Sequence, residues 1–265
     1  MCRTAKISIT STGFAFFSNY FILLNDLYLY NDVLISYKTY TYHHLNQCPT
    51  YPKGKLEAVL TQSLCCKARL LHYFPATTSN GDTDVGKREH QNNSAKDDKI
   101  DNDTDYSSWC GWHNDHGSLT GLVPAMYLNA DGEEVPSPDP AAGLYIKSRS
   151  GDLVHVKVPP NALCYQIGET SQIHTGGILQ ATPHAVRGCS STVEAAKGVS
   201  RETLAVFMEP EYHGDMELPE GQPLEQTQRK EAERHLPSSV RVLRSRWKKG
   251  MNFGEFSEAK FQAFH

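Results

Sequence analysis

Residues 143–159, GLYIKSRSGDLVHVKVP, hold two short apolar runs separated by Ser150, Gly151 and Asp152. Valine, isoleucine and tyrosine favour strands, and a Ser-Gly-Asp cluster between two such runs predicts a β-hairpin. Further short apolar runs bounded by Gly or Pro occupy 162–167, 177–186 and 203–208. Many short strands of this kind predict an antiparallel, mainly β body of the sandwich or jelly-roll type.

Helical patterns flank this β body on both sides. In residues 53–66 apolar side chains recur at three- and four-residue steps, which predicts a helix with one apolar stripe formed by Leu56, Val59, Leu60 and Leu64. Residues 68–74, ARLLHYF, then predict a strand that ends at Pro75. Near the carboxyl end, aromatic residues predict a helix packed on the body through Phe253, Phe256, Phe261 and Phe264.

The 265 residues suffice for one large domain or two small ones. Residues 76–108 contain almost no large apolar side chains and are expected to form a flexible insertion. Residues 1–52 have an atypical, Tyr-rich composition, and we expect them to be an incomplete cover region. The recognisable body is therefore one domain, 53–265, interrupted by the insertion.

Charge and cysteine content exclude several classes of protein. The net charge of -4, from 26 Lys and Arg against 30 Asp and Glu, offers no basic field for nucleic acid. The apolar stretch at 7–24 is interrupted by Ser, Thr and Asn, so neither a signal peptide nor a membrane span is expected. Seven cysteines without a C-x-x-C pair favour a reducing, cytoplasmic location rather than a disulfide framework or a zinc site.

The segment 112–122, WHNDHGSLTGL, carries the strongest chemical signal. His113 and Asp115 are two positions apart, so both side chains leave the same face of an extended backbone. His184, in QATPHAV at 180–186, is the candidate third ligand. Two imidazoles and one carboxylate that leave adjacent coordination positions open form the facial triad of a non-haem Fe(II) oxygenase. Taken alone, H-x-D is a weak motif, because a solvated His and Asp in a turn explain it more often than a metal site does.

The surrounding sequence resembles the plant and fungal 2-oxoglutarate and Fe(II)-dependent dioxygenases, the superfamily that includes isopenicillin N synthase. The matching motifs occur in the family's order: HNDHGSLTGL at 113–122, a hairpin ending in VKVPPNAL, then QIGE, then TPHAV. This resemblance covers roughly 54–75 and 109–264. It implies a double-stranded β-helix, or jelly roll, with flanking α-helices, and iron ligands at His113, Asp115 and His184.

The resemblance also implies a site for the co-substrate. The segment 200–210, SRETLAVFMEP, is similar to the family's R-x-S/T strand, so Arg201 and Thr203 would bind the distal carboxylate of 2-oxoglutarate. In LHYFP, at 71–75, His72 and Phe74 stand where the family has asparagine and tyrosine. The tyrosine hydroxyl contact is therefore missing unless Tyr73 supplies it.

The function implied is oxidation of a small organic molecule by O2, with hydroxylation as the expected outcome and with release of succinate and CO2. Neither nucleic acid nor a membrane is an expected partner. Catalysis would need no side chains beyond the three metal ligands. Two alternatives stay open at this point. One is a catalytically inactive jelly-roll binding module; the other is an Fe(II) oxidase of the same fold that does not use 2-oxoglutarate. Substrate identity and oligomeric state are not encoded in any recognisable motif.

Overall fold

The computed structural model describes residues 2–6, 15–17, 20–22, 54–75, 108–222, 234–240 and 242–262. Thirteen strands occur in these ranges. The first eight in chain order are β1 (Cys2–Lys6), β2 (Ala15–Phe17), β3 (Tyr20–Ile22), β4 (Lys67–Tyr73), β5 (Cys110–His113), β6 (Leu119–Leu122), β7 (Met126–Leu128) and β8 (Glu134–Val135). The remaining five are β9 (Gly143–Lys147), β10 (Leu153–His155), β11 (Cys164–Ile167), β12 (His184–Arg187) and β13 (Ser200–Met208).

Two antiparallel sheets form the body. The larger sheet has the order β1-β4-β13-β6-β11, with β7 pairing to β13 and β8 to β7, and the smaller sheet has the order β10-β9-β12-β5. From β4 onward the chain passes repeatedly between the two sheets, so that most paired strands are distant in sequence, apart from the hairpins β7–β8 and β9–β10. The eight strands β4–β6 and β9–β13, connected in this way, form a jelly roll. The predicted mainly β fold is confirmed.

In the ranges given above, three α-helices flank the sheets: α1 (Lys55–Thr61), α2 (Glu169–His174) and α3 (Phe253–Gln262). Leu56 and Leu60 of α1 are buried in one apolar cluster with Leu119 and Met208 of the larger sheet. Burying an aliphatic side chain of this size contributes about 1.5–3 kcal/mol. The apolar stripe predicted for the first helix therefore does attach it to the β body.

Helix α3 packs through its aromatic residues. Phe253 and Phe256 are buried in a second cluster with Ile173 and Trp247. Phe261, by contrast, is 60% exposed. The predicted carboxyl-terminal helix is confirmed over Phe253–Gln262, and two of its aromatic side chains form the contact with the body.

Some predicted boundaries were wrong. Leu64 is 94% exposed, because α1 ends at Thr61 and the apolar stripe ends with it. The strand predicted at 177–186 is limited to His184–Arg187, since Gly176 and Gly177 adopt positive φ angles in a turn. Helix α2 was not predicted, because its residues ETSQIH carry no apolar stripe.

Several predictions fall on residues outside the described ranges. They include almost all of the insertion predicted at 76–108, Phe264, and most of the segment 1–52, of which only β1, β2 and β3 are described. Strand β1 pairs with β4 along the edge of the larger sheet. Among the helices of the described residues, none combines the length and apolar character that crossing a membrane requires.

Candidate metal centre

The smaller sheet brings the three predicted metal ligands together. His113 ends β5 and His184 begins β12, and the two residues are directly paired across these strands. Asp115 follows two residues after β5. The Nε2 atoms of His113 and His184 each lie 3.8 Å from Oδ1 of Asp115, and one ligand atom from each residue falls within 4.8 Å of the others. Two imidazoles and one carboxylate thus converge on one point.

Hydrogen bonds orient both imidazoles towards that point. Nδ1 of His113 lies 2.7 Å from the carbonyl oxygen of Gly111, and Nδ1 of His184 lies 3.1 Å from that of Thr182. A carbonyl oxygen only accepts, so each Nδ1 carries the proton and donates it. The lone pair of each ring is therefore on Nε2, the atom that faces Asp115, which is the arrangement that metal-binding histidines need.

The carboxylate of Asp115 is also oriented. Thr120 donates its hydroxyl to Oδ2 of Asp115 at 2.6 Å, which leaves Oδ1 facing the two imidazoles. Burial acts to raise the pKa of the Asp115 carboxyl, but His184, His113 and the Thr120 hydrogen bond outweigh it and hold that pKa below its ordinary value. The side chain is consequently an anion at neutral pH, as a metal ligand would have to be.

We expect Thr120→Val to weaken metal binding by about 10- to 100-fold, because it removes the hydrogen bond that holds Oδ2 while keeping the side-chain shape. The lost hydrogen bond also raises the pKa of Asp115, so metal binding should weaken more steeply as the pH is lowered. Anaerobic Fe(II) titrations at neutral and mildly acidic pH measure both effects. Thr192→Val, at an exposed threonine outside the cavity, is the matched control. Equal Fe(II) affinities for the two variants would contradict the role of Thr120.

Helix α2 holds the loop that carries Asp115. The backbone N–H of Glu169 donates to the Asp115 carbonyl at 2.8 Å, and the Ser171 hydroxyl donates to the Ser118 carbonyl at 2.7 Å. A Cβ atom on Gly168 would lie 2.0 Å from the carbonyl oxygen of Gly117, so only glycine permits this close approach. The QIGE motif therefore holds in place the loop that carries Asp115.

A buried cluster of charges lies beneath the same loop. Arg246 donates two hydrogen bonds to Glu169, one of them at 2.8 Å, and Nζ of Lys260 lies 3.6 Å from the Glu169 carboxylate. Lys260 also donates to the carbonyl oxygen of Asn114, and the Asn114 amide donates to Glu169 at 3.3 Å. Sequence reasoning missed this cluster because its members come from separate segments and match no motif.

A cavity of about 760 Å³ between the two sheets contains the triad and the predicted co-substrate residues, Arg201, Thr203 and Tyr73. Arg201 is only 7% exposed, and its Nε and Nη1 atoms form no hydrogen bond within the described part of the chain. Its guanidinium lies 5.1 Å over the ring of Tyr73. Thr203 lies on the same face of β13 and donates its hydroxyl to the Val123 carbonyl at 3.1 Å.

Strand β4 turns Tyr73, rather than its two neighbours, towards the cavity. Tyr73 is buried and lines the cavity together with Leu71. His72 faces away, with Nδ1 at 2.5 Å from Glu202, and Phe74 is 40% exposed. The motif match placed His72 and Phe74 at the co-substrate positions, but the strand presents the opposite face, so its inward aromatic residue is a tyrosine.

Two other histidines near the site, His116 and His174, have structural rather than metal-binding contacts. His116 lines the cavity and stacks on Phe253 at 5.7 Å, and burial lowers its pKa to about 4. His174 is buried, with Nε2 at 2.9 Å from the Asp215 carbonyl, and burial lowers its pKa to about 4 as well. Both imidazoles are therefore neutral at pH 7, and neither reaches the group formed by His113, Asp115 and His184.

No protein-family model and no curated protein matches the sequence. Among solved structures, the chain is similar to a 2OG-Fe(II) oxygenase family protein from Caulobacter crescentus, with a TM-score of 0.52 and 14% identity over 100% of this chain and 69% of that one. It is also similar to a full-length Neurospora crassa protein in complex with alpha-KG, with a TM-score of 0.48 and 14% identity over 98% of this chain and 65% of that one. The chain thus spans about two thirds of either protein. The similarity to the Caulobacter protein concerns the fold alone, and it confirms that this chain has the jelly-roll fold of the 2OG-Fe(II) oxygenases.

Proposed function

We propose that this protein is a non-haem Fe(II)- and 2-oxoglutarate-dependent dioxygenase that oxidises a small organic molecule. The observation that carries the proposal is the buried guanidinium of Arg201, in the same cavity as the triad, whose Nε and Nη1 atoms have no hydrogen-bond partner among the described residues. The Caulobacter protein whose fold the chain shares is a 2OG-Fe(II) oxygenase family protein. This fold agrees with the proposal but does not by itself assign an activity.

The donor set fits Fe(II). His113, Asp115 and His184 offer two neutral imidazole nitrogens and one carboxylate oxygen from one side of the cavity. Three protein ligands on one face leave adjacent positions open, the arrangement typical of non-haem Fe(II) oxygenases. Structural zinc sites have four protein ligands, commonly including cysteines, so a closed site of that kind is the poorer fit.

The opposite wall of the cavity fits an oxoacid. A buried guanidinium whose N–H donors are unsatisfied costs several kcal/mol of folding free energy. An anion bound in the cavity would accept hydrogen bonds from Arg201 and remove this cost. The planar guanidinium of Arg201 matches the geometry of a carboxylate, which accepts two parallel hydrogen bonds from it. Thr203 and Tyr73 lie beside Arg201 on the cavity face. The Tyr73 hydroxyl would contact the same carboxylate, and the Thr203 hydroxyl would do so once its proton turns from the Val123 carbonyl to the carboxylate.

Each residue then has a defined task in the reaction. When bound, Fe(II) and 2-oxoglutarate supply the O2 chemistry: one oxygen atom goes to the substrate, and the oxoacid, which takes the other, becomes succinate and CO2. His113, Asp115 and His184 hold the metal, and Arg201 orients the co-substrate. The apolar side chains Leu71, Leu122 and Val123 line the cavity and limit the entry of water.

Anaerobic addition of Fe(II) and 2-oxoglutarate should produce a weak visible charge-transfer band. Because Arg201→Gln removes the fork that binds the distal carboxylate, we expect it to raise the 2-oxoglutarate concentration needed for half of this band by roughly 10- to 100-fold. Arg149→Gln, at an exposed arginine of the β9–β10 turn, is the matched control. Absence of the band from wild-type protein with Fe(II) bound would contradict the co-substrate assignment.

A succinate assay under O2 and the anaerobic spectral titration together separate the two alternatives. A binding module would give no succinate under O2, with or without added substrates. An Fe(II) oxidase that dispenses with the oxoacid would bind Fe(II) but show no spectral response to 2-oxoglutarate. The buried donors of Arg201 favour the dioxygenase over the Fe(II) oxidase, because 2-oxoglutarate would supply the anion that they lack.

We also propose that residues 53–265, with the insertion at 76–108, form the catalytic domain, and that residues 1–52 belong to a cover region. The cytoplasmic location stays a prediction. It is supported by the five cysteines whose side chains the structure describes, Cys65, Cys66, Cys110, Cys164 and Cys189, which are all free thiols.

A further inference from the structure

A second arginine lines the cavity far from Arg201. Arg69 lies on the same face of β4 as Tyr73, because alternate residues of a strand share a face. Tyr73 pairs directly with Arg201, whereas Arg69 pairs with Ala205. Arg69 therefore lies four residues along β4 from Tyr73, the residue that pairs with Arg201. At ~3.3 Å per residue, this is a distance of about 13 Å along the strand.

The guanidinium of Arg69 leans still further from Arg201. It lies 4.9 Å over the ring of Phe207, and Phe207 pairs with Lys67, the residue two positions beyond Arg69 on β4. Under the proposed function, the distal carboxylate of 2-oxoglutarate binds Arg201 and its other end lies at the metal ligands, so neither end is left for Arg69. Arg69 is therefore available to a different ligand.

Within the ranges that the structure describes, no carboxylate approaches the Arg69 guanidinium closely enough to form an ion pair, and its contact is the face of Phe207. Stacking on an aromatic ring leaves the N–H groups at the edge of a guanidinium available. Arg69 is half-buried, so these donors face the cavity with limited access to water. An anionic group is the natural partner for them.

The charges of the cavity wall also favour an anion. Four cationic and two anionic side chains line it: Arg69, Lys157, Arg201, Lys260, Asp115 and Glu209. The Glu209 carboxylate is paired with Lys67, and the Lys260 ammonium lies 3.6 Å from Glu169, so both charges are offset outside the cavity. The three other cations still outnumber Asp115. Fe(II) and 2-oxoglutarate carry equal and opposite charges, and their binding leaves the excess of positive charge unchanged. A confined excess of one sign raises the local concentration of ligands of the other sign.

Two phenylalanine side chains line the cavity at this end. Phe207 lies under the Arg69 guanidinium, and Phe261 packs edge-on against His116 with ring centroids 6.1 Å apart. His116 in turn lies 3.6 Å from Glu209, which follows Phe207 by two residues and also lines the cavity. The two phenylalanines therefore flank the same end of the cavity and offer an apolar surface.

We propose that the substrate is an apolar organic acid, whose carboxylate binds Arg69 and whose hydrocarbon body packs against Phe207 and Phe261. This assignment deepens the proposed function and rests on it, since the acid is the molecule that the dioxygenase would oxidise. The substrate and 2-oxoglutarate then use separate arginines, Arg69 and Arg201, and bind without competing.

Calorimetric titration of anaerobic protein loaded with Fe(II) and 2-oxoglutarate tests this assignment, with 3-phenylpropionate and its uncharged amide as probes. The acid should bind at least about tenfold more tightly than the amide, since arginine forms a charge-assisted pair with a carboxylate but not with an amide. Arg69→Gln should remove this preference by weakening acid binding alone. Arg149→Gln, which removes a positive charge outside the cavity, should preserve it. Arg69→Lys, which keeps the charge but not the fork, should give an intermediate affinity and serves if the glutamine variant does not fold.

Equal binding of the acid by wild type and Arg69→Gln would overturn the proposal. Competition between the acid and 2-oxoglutarate would overturn it too, because it would place both at Arg201. Tighter binding of 3-phenylpropyl phosphate than of 3-phenylpropionate would show that the carboxylate class is wrong. The titration with 2-oxoglutarate alone judges the proposed function separately: if that titration fails, the dioxygenase assignment fails, whatever the acid does.

Discussion

His184→Ala is expected to abolish Fe(II) binding and, with it, succinate formation. The variant leaves His113 and Asp115 as the only members of the triad, and it removes the imidazole whose Nε2 lies 3.8 Å from Asp115. Two ligands do not hold the metal on one face of the cavity. In wild-type protein, Fe(II) at about 100 times its dissociation constant should stabilise the fold by about 2.7 kcal/mol, and this stabilisation should disappear in the variant.

Thermal unfolding with and without Fe(II), under anaerobic conditions, measures this effect independently of turnover. His213→Ala, at an exposed histidine, is the control for the loss of an imidazole and should keep the full metal-induced shift. The metal-free form of His184→Ala should still unfold cooperatively, because the jelly roll does not depend on this ring for its core. A His184→Ala protein that retains the metal-induced shift and produces succinate would refute the triad.

Arg246→Met should destabilise the fold by about 3–5 kcal/mol, the range expected when one partner of a buried ion pair is removed. Glu169 is only 1% exposed and receives two hydrogen bonds from Arg246. The remaining cation, Lys260, lies 3.6 Å from the carboxylate and cannot replace a two-point contact. Since the backbone of Glu169 also holds the Asp115 carbonyl, the metal loop should loosen as well.

Urea unfolding at pH 7 measures this destabilisation, with Arg149→Gln as an exposed arginine control that should change stability by no more than about 0.5 kcal/mol. The double variant Glu169→Gln/Arg246→Met should recover part of the loss, because no unpaired buried carboxylate is left. A single variant as stable as wild type would show that the cluster does not hold the loop.

The same pair makes the fold sensitive to acid. Burial acts to raise the pKa of Glu169, but Lys260, Arg246 and the Asn114 hydrogen bond outweigh it and place that pKa below its ordinary value. Glu169 therefore contributes stability above its unfolded pKa of about 4.3, and the contribution is lost as the pH falls through the lower folded value. The urea unfolding of wild type and Arg246→Met at pH 7 therefore compares the proteins where the whole stabilising contribution of ionised Glu169 is present.

Much of the fold and of the metal centre could be predicted from short-range patterns. The alternation of a strand places His113 and Asp115 on one side, and the β9–β10 turn follows directly from Ser150, Gly151 and Asp152. By contrast, Glu169 and Arg246 are separated by 77 positions, and their pairing follows only from the path of the folded chain. No local pattern distinguishes such a pair from two solvated charges.

Strand β4 shows a second limit of sequence reasoning. Adjacent residues of a strand face opposite sides, so a motif match that is displaced by one position exchanges the cavity face for the outer face. The match aligned His72 and Phe74 with the family's asparagine and tyrosine and left Tyr73 as the candidate hydroxyl, and the cavity is lined by Arg69, Leu71 and Tyr73. The face of β4 that turns inward depends on how β4 pairs with the neighbouring strands. The residues of those strands lie far away in sequence.

The two halves of the site belong to different sheets. His113 and His184 are on strands of the smaller sheet, while Arg201 and Thr203 are on β13 of the larger one. A co-substrate that binds both the metal and Arg201 is therefore a cross-link between the two layers of the sandwich. Under the proposed function, the spacing of the two sheets would therefore limit the length of the oxoacid that fits between the metal and Arg201. Core side chains far from the site determine this spacing.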